Sequence, residues 1–338
     1  MKRILLTVLV FVLIGAVHLD RSGTHLPAVL LGMAIVQGAV LLVAAATLTN
    51  AKWIAPIQQP LLALAPLLFL FPFLVQFQHA PYLPLPPYPW LGHPTSWLDP
   101  NLFAVRNILA LLGLAIVGNS FGRVSLANGS SARQWAVVYI LTFVVVKTLV
   151  AVDWVMSFDY PWVSTMFPAI YMIECLYAGL ALAGILCYFR ERRQPGSTGD
   201  SVYDTASLLF GFGLFWGGLT FAQYLTIWYG NIPEEVHFFT RRFALRGGEQ
   251  LFAVNVILLF VIPFTVFLIH RIRKSACAVA LLALVILAGL MTVRLFHILP
   301  HVEFHAGFFI LQTLAMLGII TGSVCCTGQP TPPANQTV

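Results

Sequence analysis

The sequence predicts an all-α polytopic membrane protein, and three observations lead to this class. First, 59% of the 338 residues are hydrophobic and 9% are charged, whereas roughly a quarter of the residues of a soluble domain are charged. Second, the apolar residues gather into ten runs, each of about the length that a helix needs to cross ~30 Å of hydrocarbon. Third, most basic residues lie in the connections on one side of these runs.

Each apolar run is predicted to be a transmembrane helix, because a helix satisfies its own backbone hydrogen bonds inside the bilayer. In chain order the ten predicted segments are residues 4–18, 26–48, 60–77, 102–119, 135–152, 165–189, 203–229, 251–270, 276–297 and 306–322. The first is short and follows Lys2 and Arg3, as in a signal peptide. No small-x-small cleavage site precedes Asp20 and Arg21, so we expect this helix to be retained.

The basic residues predict the topology. With ten helices, one set of connections carries eleven lysines and arginines and the other carries four, leaving aside Arg106, Lys147 and Arg294 inside the segments. Basic connections stay in the cytoplasm. We therefore expect a multi-pass protein of the bacterial inner membrane with both termini cytoplasmic. The net charge of +6 is then explained by topology and anionic lipid, without a nucleic-acid partner.

The predicted segments divide into two halves. Residues 1–189 hold the first six, residues 190–202 form a charged cytoplasmic linker, residues 203–322 hold the last four, and residues 323–338 form a short tail. Lys147 near the outer end of the fifth segment corresponds to Arg294 in the ninth. A repeat of segments two to five in segments six to nine would explain this similarity. Chance similarity between apolar sequences is the alternative.

Cysteines and histidines exclude several cofactors. The cysteines form no CxxC pair, which zinc or iron–sulfur ligation would normally need. All nine histidines fall at segment ends or in connections, away from the depth at which a membrane haem is held. We expect no metal and no redox centre in this chain alone. The cysteines are Cys175, Cys187, Cys277, Cys325 and Cys326.

Glu174 is the most informative single residue, because it lies about nine residues inside the sixth segment. A carboxylate at mid-bilayer costs at least ~2.5 kcal/mol, so it must face protein. Tyr171 and Tyr177, at i−3 and i+3, are predicted to extend a hydrogen-bonded line from it. A proton relay is the favoured interpretation. A neutral carboxylic acid that only holds helices together is the alternative.

Other charges inside the segments are candidates for the same path. Lys147 lies six residues before Asp153, on a different helix face, so the two need not pair. Lys147 either faces inward or snorkels towards the surface. Arg294 and His297 share a face and are predicted to partner Asp153, Asp159 or the carboxylates at 234 and 235. Proton transfer and simple ion pairing are both open.

Two polar stretches end long apolar runs on the predicted outer side. They cover residues 153–167 and 228–235, and the second continues to Arg241 and Arg242. The turn at residues 230–233 indicates a shaped loop, in which acidic and basic residues are predicted to pair with one another. A merely solvated charged surface is the alternative.

These stretches also resemble a known family. The motifs are Val152-Asp153-Trp154-Val155-Met156-Ser157, Trp162-Val163-Ser164-Thr165-Met166-Phe167 and Phe221-Ala222-Gln223-Tyr224-Leu225-Thr226-Ile227-Trp228-Tyr229-Gly230-Asn231-Ile232-Pro233-Glu234-Glu235 with Arg241-Arg242. They are similar to the second large polytopic subunit, often called ActF, of the bacterial Alternative Complex III, in the superfamily of the polysulfide-reductase membrane anchor. With the ten-segment layout, the resemblance extends over most of the chain.

The resemblance implies ten helices in two four-helix bundles, segments two to five and six to nine, plus a peripheral pair. It implies a scaffold and proton-conducting subunit of a quinol:cytochrome c, or equivalent acceptor, oxidoreductase complex. Haem c, iron–sulfur or molybdopterin-like and sister polytopic subunits would be the partners, and they would carry the haem and iron–sulfur clusters. Their docking surface would use seven residues of the second stretch. These are Trp228, Asn231, Pro233, Glu234, Glu235, Arg241 and Arg242.

Two other functions stay open. In the first, the chain binds quinone itself, in an outer-leaflet pocket formed by Asp153, Trp154, Tyr229 and His297. In the second, the chain is a secondary transporter, which would need a midplane site between broken helices, and only Glu174 points to that.

Overall fold

The structure is a computed structural model that describes residues 2–20, 22–78, 88–92 and 95–326. Within these ranges it is helical and contains no strand, which confirms the predicted class. Among the described residues, eight helices are long and apolar enough to cross a membrane. They span Leu26–Thr49, Pro100–Leu126, Ala132–Asp159, Met166–Arg193, Gly199–Gly230, Gly248–Phe267, Ala276–His301 and Ala306–Cys325.

The α-helices of the described residues are numbered in chain order. They are α1 (Lys2–Leu19), α2 (Leu26–Thr49), α3 (Gln58–Leu62), α4 (Leu70–Gln78), α5 (Pro100–Leu126), α6 (Ala132–Val150), α7 (Met166–Arg193), α8 (Gly199–Gly230), α9 (Pro233–Phe243), α10 (Gly248–Val256), α11 (Ile262–Phe267), α12 (His270–Arg273), α13 (Ala276–Ile298) and α14 (Ala306–Cys326). A π-helical turn, Ala151–Val155, continues α6, and another, Ile257–Val261, joins α10 to α11. Most of the predicted tail, residues 327–338, lies outside the described ranges.

Helix ends follow from local sequence. The Asp99 side chain accepts hydrogen bonds from the amides of Asn101 and Leu102, and Pro100 takes the first position of α5. At the other end of a helix, Asn231 adopts a left-handed conformation with φ of 45° and terminates α8. Pro233 then starts α9 at once. The turn predicted at residues 230–233 is therefore a sharp corner between two helices.

The first and third predicted segments are shorter than the others. Their apolar helical parts are Leu6–Val17 and Gln58–Leu74. The third is interrupted by a 3₁₀ turn, Ala65–Phe69, between α3 and α4. Pro60, Pro66 and Pro72 explain this break, because proline removes a backbone donor and crowds the preceding turn. Whether these two segments cross the membrane, and so make ten, stays a prediction.

Helices α2 and α7 form the centre of the molecule. In the most apolar window of each, 94% and 78% of the residues are buried. α7 packs against α2, α8 and α13, α6 packs against α2 and α5, and α1 packs against α14. The axes of α2 and α7 approach closely because glycines face each other there: a Cβ on Gly38 would lie 1.8 Å from the Cys175 carbonyl oxygen.

Asp20 ties the α1–α2 connection to α14. Its carboxylate accepts hydrogen bonds from the backbone amide of His25 at 2.8 Å, the hydroxyl of Ser22 at 2.6 Å and the amide group of Gln312 at 3.3 Å. Burial raises the pKa of Asp20, but the hydrogen bonds from His25 and Ser22 outweigh it and hold the pKa well below its ordinary value of 3.8. The ionised carboxylate is therefore the form that stabilises this connection.

The stability that Asp20 contributes is expected to depend on pH. A lowered carboxyl pKa stabilises the fold above the unfolded-state value of about 3.9 and ceases to do so as pH falls through the folded-state value. Asp20→Asn should therefore lower the melting temperature in detergent at pH 6, and the difference from wild type should shrink between pH 5 and pH 2. A difference that stays constant over this range would contradict a role for the ionised carboxylate.

Candidate functional site

The deepest charges of the bundle form an ion pair between α7 and α13. Glu174 and Arg294 are both inaccessible to solvent, and Arg294 Nη1 lies 2.5 Å from Glu174 Oε2. The indole of Trp216 on α8 donates a hydrogen bond of 3.1 Å to Glu174 Oε1. The prediction that Glu174 faces protein is confirmed. Arg294 was predicted to pair with Asp153, Asp159 or the carboxylates of the second stretch. This prediction is wrong, because its partner is Glu174.

Lys147 adds a second buried cation to this region. Its side chain is 1% exposed, and Nζ lies 5.5 Å from the centre of the Tyr171 ring. The snorkelling alternative is therefore wrong, and Lys147 faces inward. Arg294 lies 4.1 Å from the centre of the same ring. Within the described residues no carboxylate forms an ion pair with Lys147, so basic groups outnumber the single carboxylate here.

Tyr171 connects this region to the end of α13. Its hydroxyl lies 3.2 Å from His297 Nδ1, in the last turn of that helix. The carbonyl oxygen of His297 accepts a hydrogen bond of 3.2 Å from Arg242 Nη2. The other predicted tyrosine behaves differently: the Tyr177 hydroxyl donates to the Leu259 carbonyl at 3.0 Å, in the π-helical turn. Tyr177 therefore stabilises a helix irregularity, and the prediction that it continues from Glu174 is wrong.

Arg242 and Asp159 join the two polar stretches. Arg242 Nη1 and Nη2 donate to the two carboxylate oxygens of Asp159, at 3.1 and 2.7 Å. His301 Nε2 lies 3.3 Å from the same carboxylate. All three residues are buried. The second stretch is thus folded as predicted, but its arginine pairs with the first stretch, and the expected pairing with Glu234 or Glu235 is wrong for Arg242.

We call these residues together the polar network. It runs from the interior of the bundle to the end at which the two polar stretches meet, which we call the Asp159 end. Its members come from α7, α9, α13 and the short turns after α6 and α13. They are Glu174, Arg294, Tyr171, His297, Arg242, Asp159 and His301.

Two members of the network were missed or misassigned from sequence. Arg242 was assigned to a docking surface, and His301 was not singled out. Phe238 precedes Arg242 by four residues in α9, so the two share a helix face, and the guanidinium lies 3.8 Å from the centre of the Phe238 ring. An arginine on the phenylalanine face of an amphipathic helix was the signal for burial.

A small cavity lies beside Glu174 and His297. Its volume is about 40 Å³, and five phenylalanines from α7, α9, α10 and α13 are among its lining residues. Thr220 and Asn255 also line it, and the side-chain oxygens of both are buried without a hydrogen-bond partner among the described residues. The cavity has room for about one to three water molecules and offers them polar partners. Such water would lie between Glu174 and His297.

Asp153 belongs to a separate cluster. Arg106 donates from Nε and Nη2 to its two carboxylate oxygens, at 2.7 and 2.9 Å, and Asn107 donates at 2.7 Å. Trp154 in turn donates to Asn107 at 3.0 Å. Asp153 and Lys147, which by their spacing need not pair, form no ion pair among the described residues. Since a bidentate arginine, the Asn107 amide and the Trp97 indole all donate to the carboxylate, this cluster holds α5 to the end of α6.

The four residues of the quinone-binding alternative lie in three different surroundings. Asp153 and Trp154 both form a hydrogen bond with Asn107, His297 lines the small cavity, and Tyr229 is 83% exposed. Ligand pockets are typically about 300–1,000 Å³, so the cavity at His297 is far smaller than a pocket for a quinone ring. Among the described residues, these four side chains therefore do not lie together around the small cavity at His297.

The expected docking surface is mostly accessible. Trp228 is 64% exposed, and Asn231, Pro233 and Glu234 are exposed as well. Glu235 and Arg241 are partly buried. Arg242 is the exception, and its assignment to the docking surface is wrong. Its guanidinium is 1% exposed and held by Asp159, so it presents nothing to a partner.

In the described ranges no group of three or more histidine, cysteine, aspartate or glutamate side chains is arranged to hold a metal ion. The expectation that partners carry the redox centres stays a prediction. No model of a known protein family matches this sequence, and no curated protein matches it. The motifs and the geometry are therefore what bears on function.

Proposed function

We propose that this chain is an integral membrane subunit of a quinol-oxidising oxidoreductase complex of respiratory or photosynthetic electron transport. Its role is that of a scaffold and proton-conducting subunit without a redox centre of its own. The observation that supports proton conduction is the polar network, which links Glu174 inside the bundle to Asp159 at its end. The resemblance of the two polar stretches supports membership of such a complex.

The composition of the network favours proton transfer over simple helix packing. Buried ion pairs contribute little net stability, and apolar residues of similar volume often do as well. Ionisable groups inside membrane segments are therefore functional by default. The network combines two fixed cations, Arg294 and Arg242, with three groups that can exchange protons, Glu174, His297 and Asp159, and the imidazole of His297 joins it through the Tyr171 hydroxyl.

The protein groups have distinct roles in this proposal. Arginine stays protonated, so Arg294 and Arg242 orient the carboxylates and balance their charge. Glu174 gives up and takes up the proton inside the bundle, and the cavity that it shares with His297 provides room for the water that carries it. Asp159 and His301 exchange the proton at the Asp159 end.

The finer architecture belongs to the same proposal. In the first four-helix bundle are α2, α3 with α4 as one segment, α5 and α6. In the second are α7, α8, α10 with α11 as one segment, and α13, and α1 and α14 are the peripheral pair. The packing of α5 on α6, of α7 on α8 and α13, and of α1 on α14 supports this arrangement. Both termini are cytoplasmic in the inner membrane, which the distribution of basic residues supports. The partners are haem c, iron–sulfur or molybdopterin-like and sister polytopic subunits.

Glu174→Gln tests the proton path. In the assembled complex, both quinol oxidation and proton release should fall by at least about tenfold, because glutamine keeps the shape of the side chain but exchanges no proton. The measurements are steady-state quinol oxidation and pH-indicator absorbance in reconstituted vesicles. Tyr177→Phe controls for disturbance of α7, since it removes one hydroxyl on the same helix that lies outside the network. Because Glu174→Gln also leaves Arg294 without its partner, both activities are expressed per assembled complex.

Unchanged quinol oxidation and unchanged proton release in Glu174→Gln would contradict a relay through this residue. An equal loss in Tyr177→Phe would show that the effect comes from disturbance of α7. Failure of this chain to co-purify with haem c and iron–sulfur subunits would contradict the proposed complex itself.

A further inference from the structure

A second cavity lies at the opposite end of α7, where this helix meets α14 and the start of α3. Its volume is about 300 Å³, within the range of small-molecule sites. Its wall is apolar over most of its area, with two arginines and two glutamines among its lining residues. None of these residues belongs to the polar network or to the Asp153 cluster.

The α7 side of the cavity is a single amphipathic helix face. Leu186, Phe189, Arg190 and Arg193 have the spacing i, i+3, i+4 and i+7, which places them on one side of the helix. Phe189 is 52% exposed, although it is large and apolar. The apolar residues therefore lie within one or two turns of the two guanidinium groups. Such a surface is suited to bind an amphipathic molecule.

The two arginines keep their charge available. In the parts of the chain that the structure describes, neither Arg190 nor Arg193 forms an ion pair with a carboxylate. The nearest acidic residue in sequence, Glu191, is engaged elsewhere: Oε1 accepts from the amide of Gly196 at 2.6 Å and Oε2 from that of Thr198 at 3.2 Å. The cavity is thus positively charged at its polar rim.

Depth supports a ligand from the membrane. α7 and α14 are both long and apolar enough to span a bilayer, and the cavity lies where both end, at Arg193 and Cys326. Helix ends of this kind reach the level of lipid headgroups. Basic pockets between transmembrane helices at this level suit phosphate-bearing lipids.

We propose that this cavity is a binding site for one anionic phospholipid. The headgroup phosphate lies between Arg190 and Arg193, which recognise its oxygens through charge-assisted hydrogen bonds. The glycerol and the first acyl carbons lie against Leu186, Phe189 and Ile57. The apolar wall favours a lipid over free phosphate, because phosphate alone leaves that wall in contact with water.

The test counts bound lipid on the purified full-length chain by native mass spectrometry in detergent. After delipidation, the protein is mixed with phosphatidylglycerol or with phosphatidylcholine of identical acyl chains. Wild type should retain one phosphatidylglycerol with an affinity at least about tenfold higher than for phosphatidylcholine, because the guanidinium groups meet an uncompensated negative charge. Millimolar inorganic phosphate should not displace it.

Variants locate the site. The double variant R190Q/R193Q should lose at least about tenfold in affinity for phosphatidylglycerol, whereas R192Q, the neighbouring arginine that does not line the cavity, should bind like wild type. Equal loss in R192Q would overturn the proposal in favour of diffuse attraction. Equal retention of the two lipids by wild type, which requires no variant to fold, would also overturn it. Displacement by inorganic phosphate would assign the site to free phosphate.

Discussion

Replacing Arg294 by glutamine is expected to lower the free energy of unfolding by about 3–5 kcal/mol, because it would leave the carboxylate of Glu174 buried without its counter-ion. Both side chains are inaccessible to bulk solvent, so at most the few water molecules that fit the small cavity beside Glu174 could solvate the remaining charge. Lys147 is the other nearby cation, but it forms no ion pair with Glu174 in the described structure. The measurement is unfolding in detergent micelles by denaturant titration.

The double variant Glu174→Gln/Arg294→Gln separates charge from packing. It should recover most of the loss, because neither partner is then left as an unpaired charge. Arg246→Gln, at an exposed position, should change the free energy of unfolding by less than about 0.5 kcal/mol. A loss below about 1 kcal/mol in Arg294→Gln would contradict a charged pair and favour a neutral carboxylic acid at position 174.

The substitution Gly38→Val is expected to cost about 3 kcal/mol or more, since overpacking at a rigid contact destabilises strongly. A Cβ at position 38 would lie 1.8 Å from the Cys175 carbonyl oxygen, and one on Gly179 would lie 2.4 Å from the Gly38 carbonyl oxygen. The obstacles are backbone atoms, which no rotamer change removes. α2 and α7 would have to separate, and α7 carries Glu174.

Gly113→Ala on α5 is the matched control, because nothing lies within 4 Å of a Cβ built there. Alanine favours a helix over glycine by about 1 kcal/mol, so this variant should be as stable as wild type or more stable. Unfolding in the same micelles gives both values. A Gly38→Val variant as stable as Gly113→Ala would contradict the close approach of α2 and α7.

Much of the fold was predictable because it depends on local properties. The length and apolarity of each run predicted where helices lie, and the cost of a carboxylate in the bilayer predicted that Glu174 faces protein. The interruption of the third segment was also predictable from sequence, because it contains three prolines, at residues 60, 66 and 72. Apolarity alone does not predict this break, because the prolines lie within an otherwise apolar run.

Only the tertiary structure decided which residues meet. Glu174 pairs with Arg294, 120 positions away, and Arg242 pairs with Asp159, 83 positions away. Sequence alone assigned Arg294 to other carboxylates and Arg242 to the surface. α2 and α13 are both strongly apolar. In the most apolar stretch of each, however, 94% of the α2 residues are buried and only 44% of the residues in the α13 stretch. Lipid tails and protein interiors are equally apolar, so hydrophobicity places a helix in the membrane without specifying its neighbours. Small residues and buried polar groups specify the neighbours, and their pairing exists only in the folded bundle.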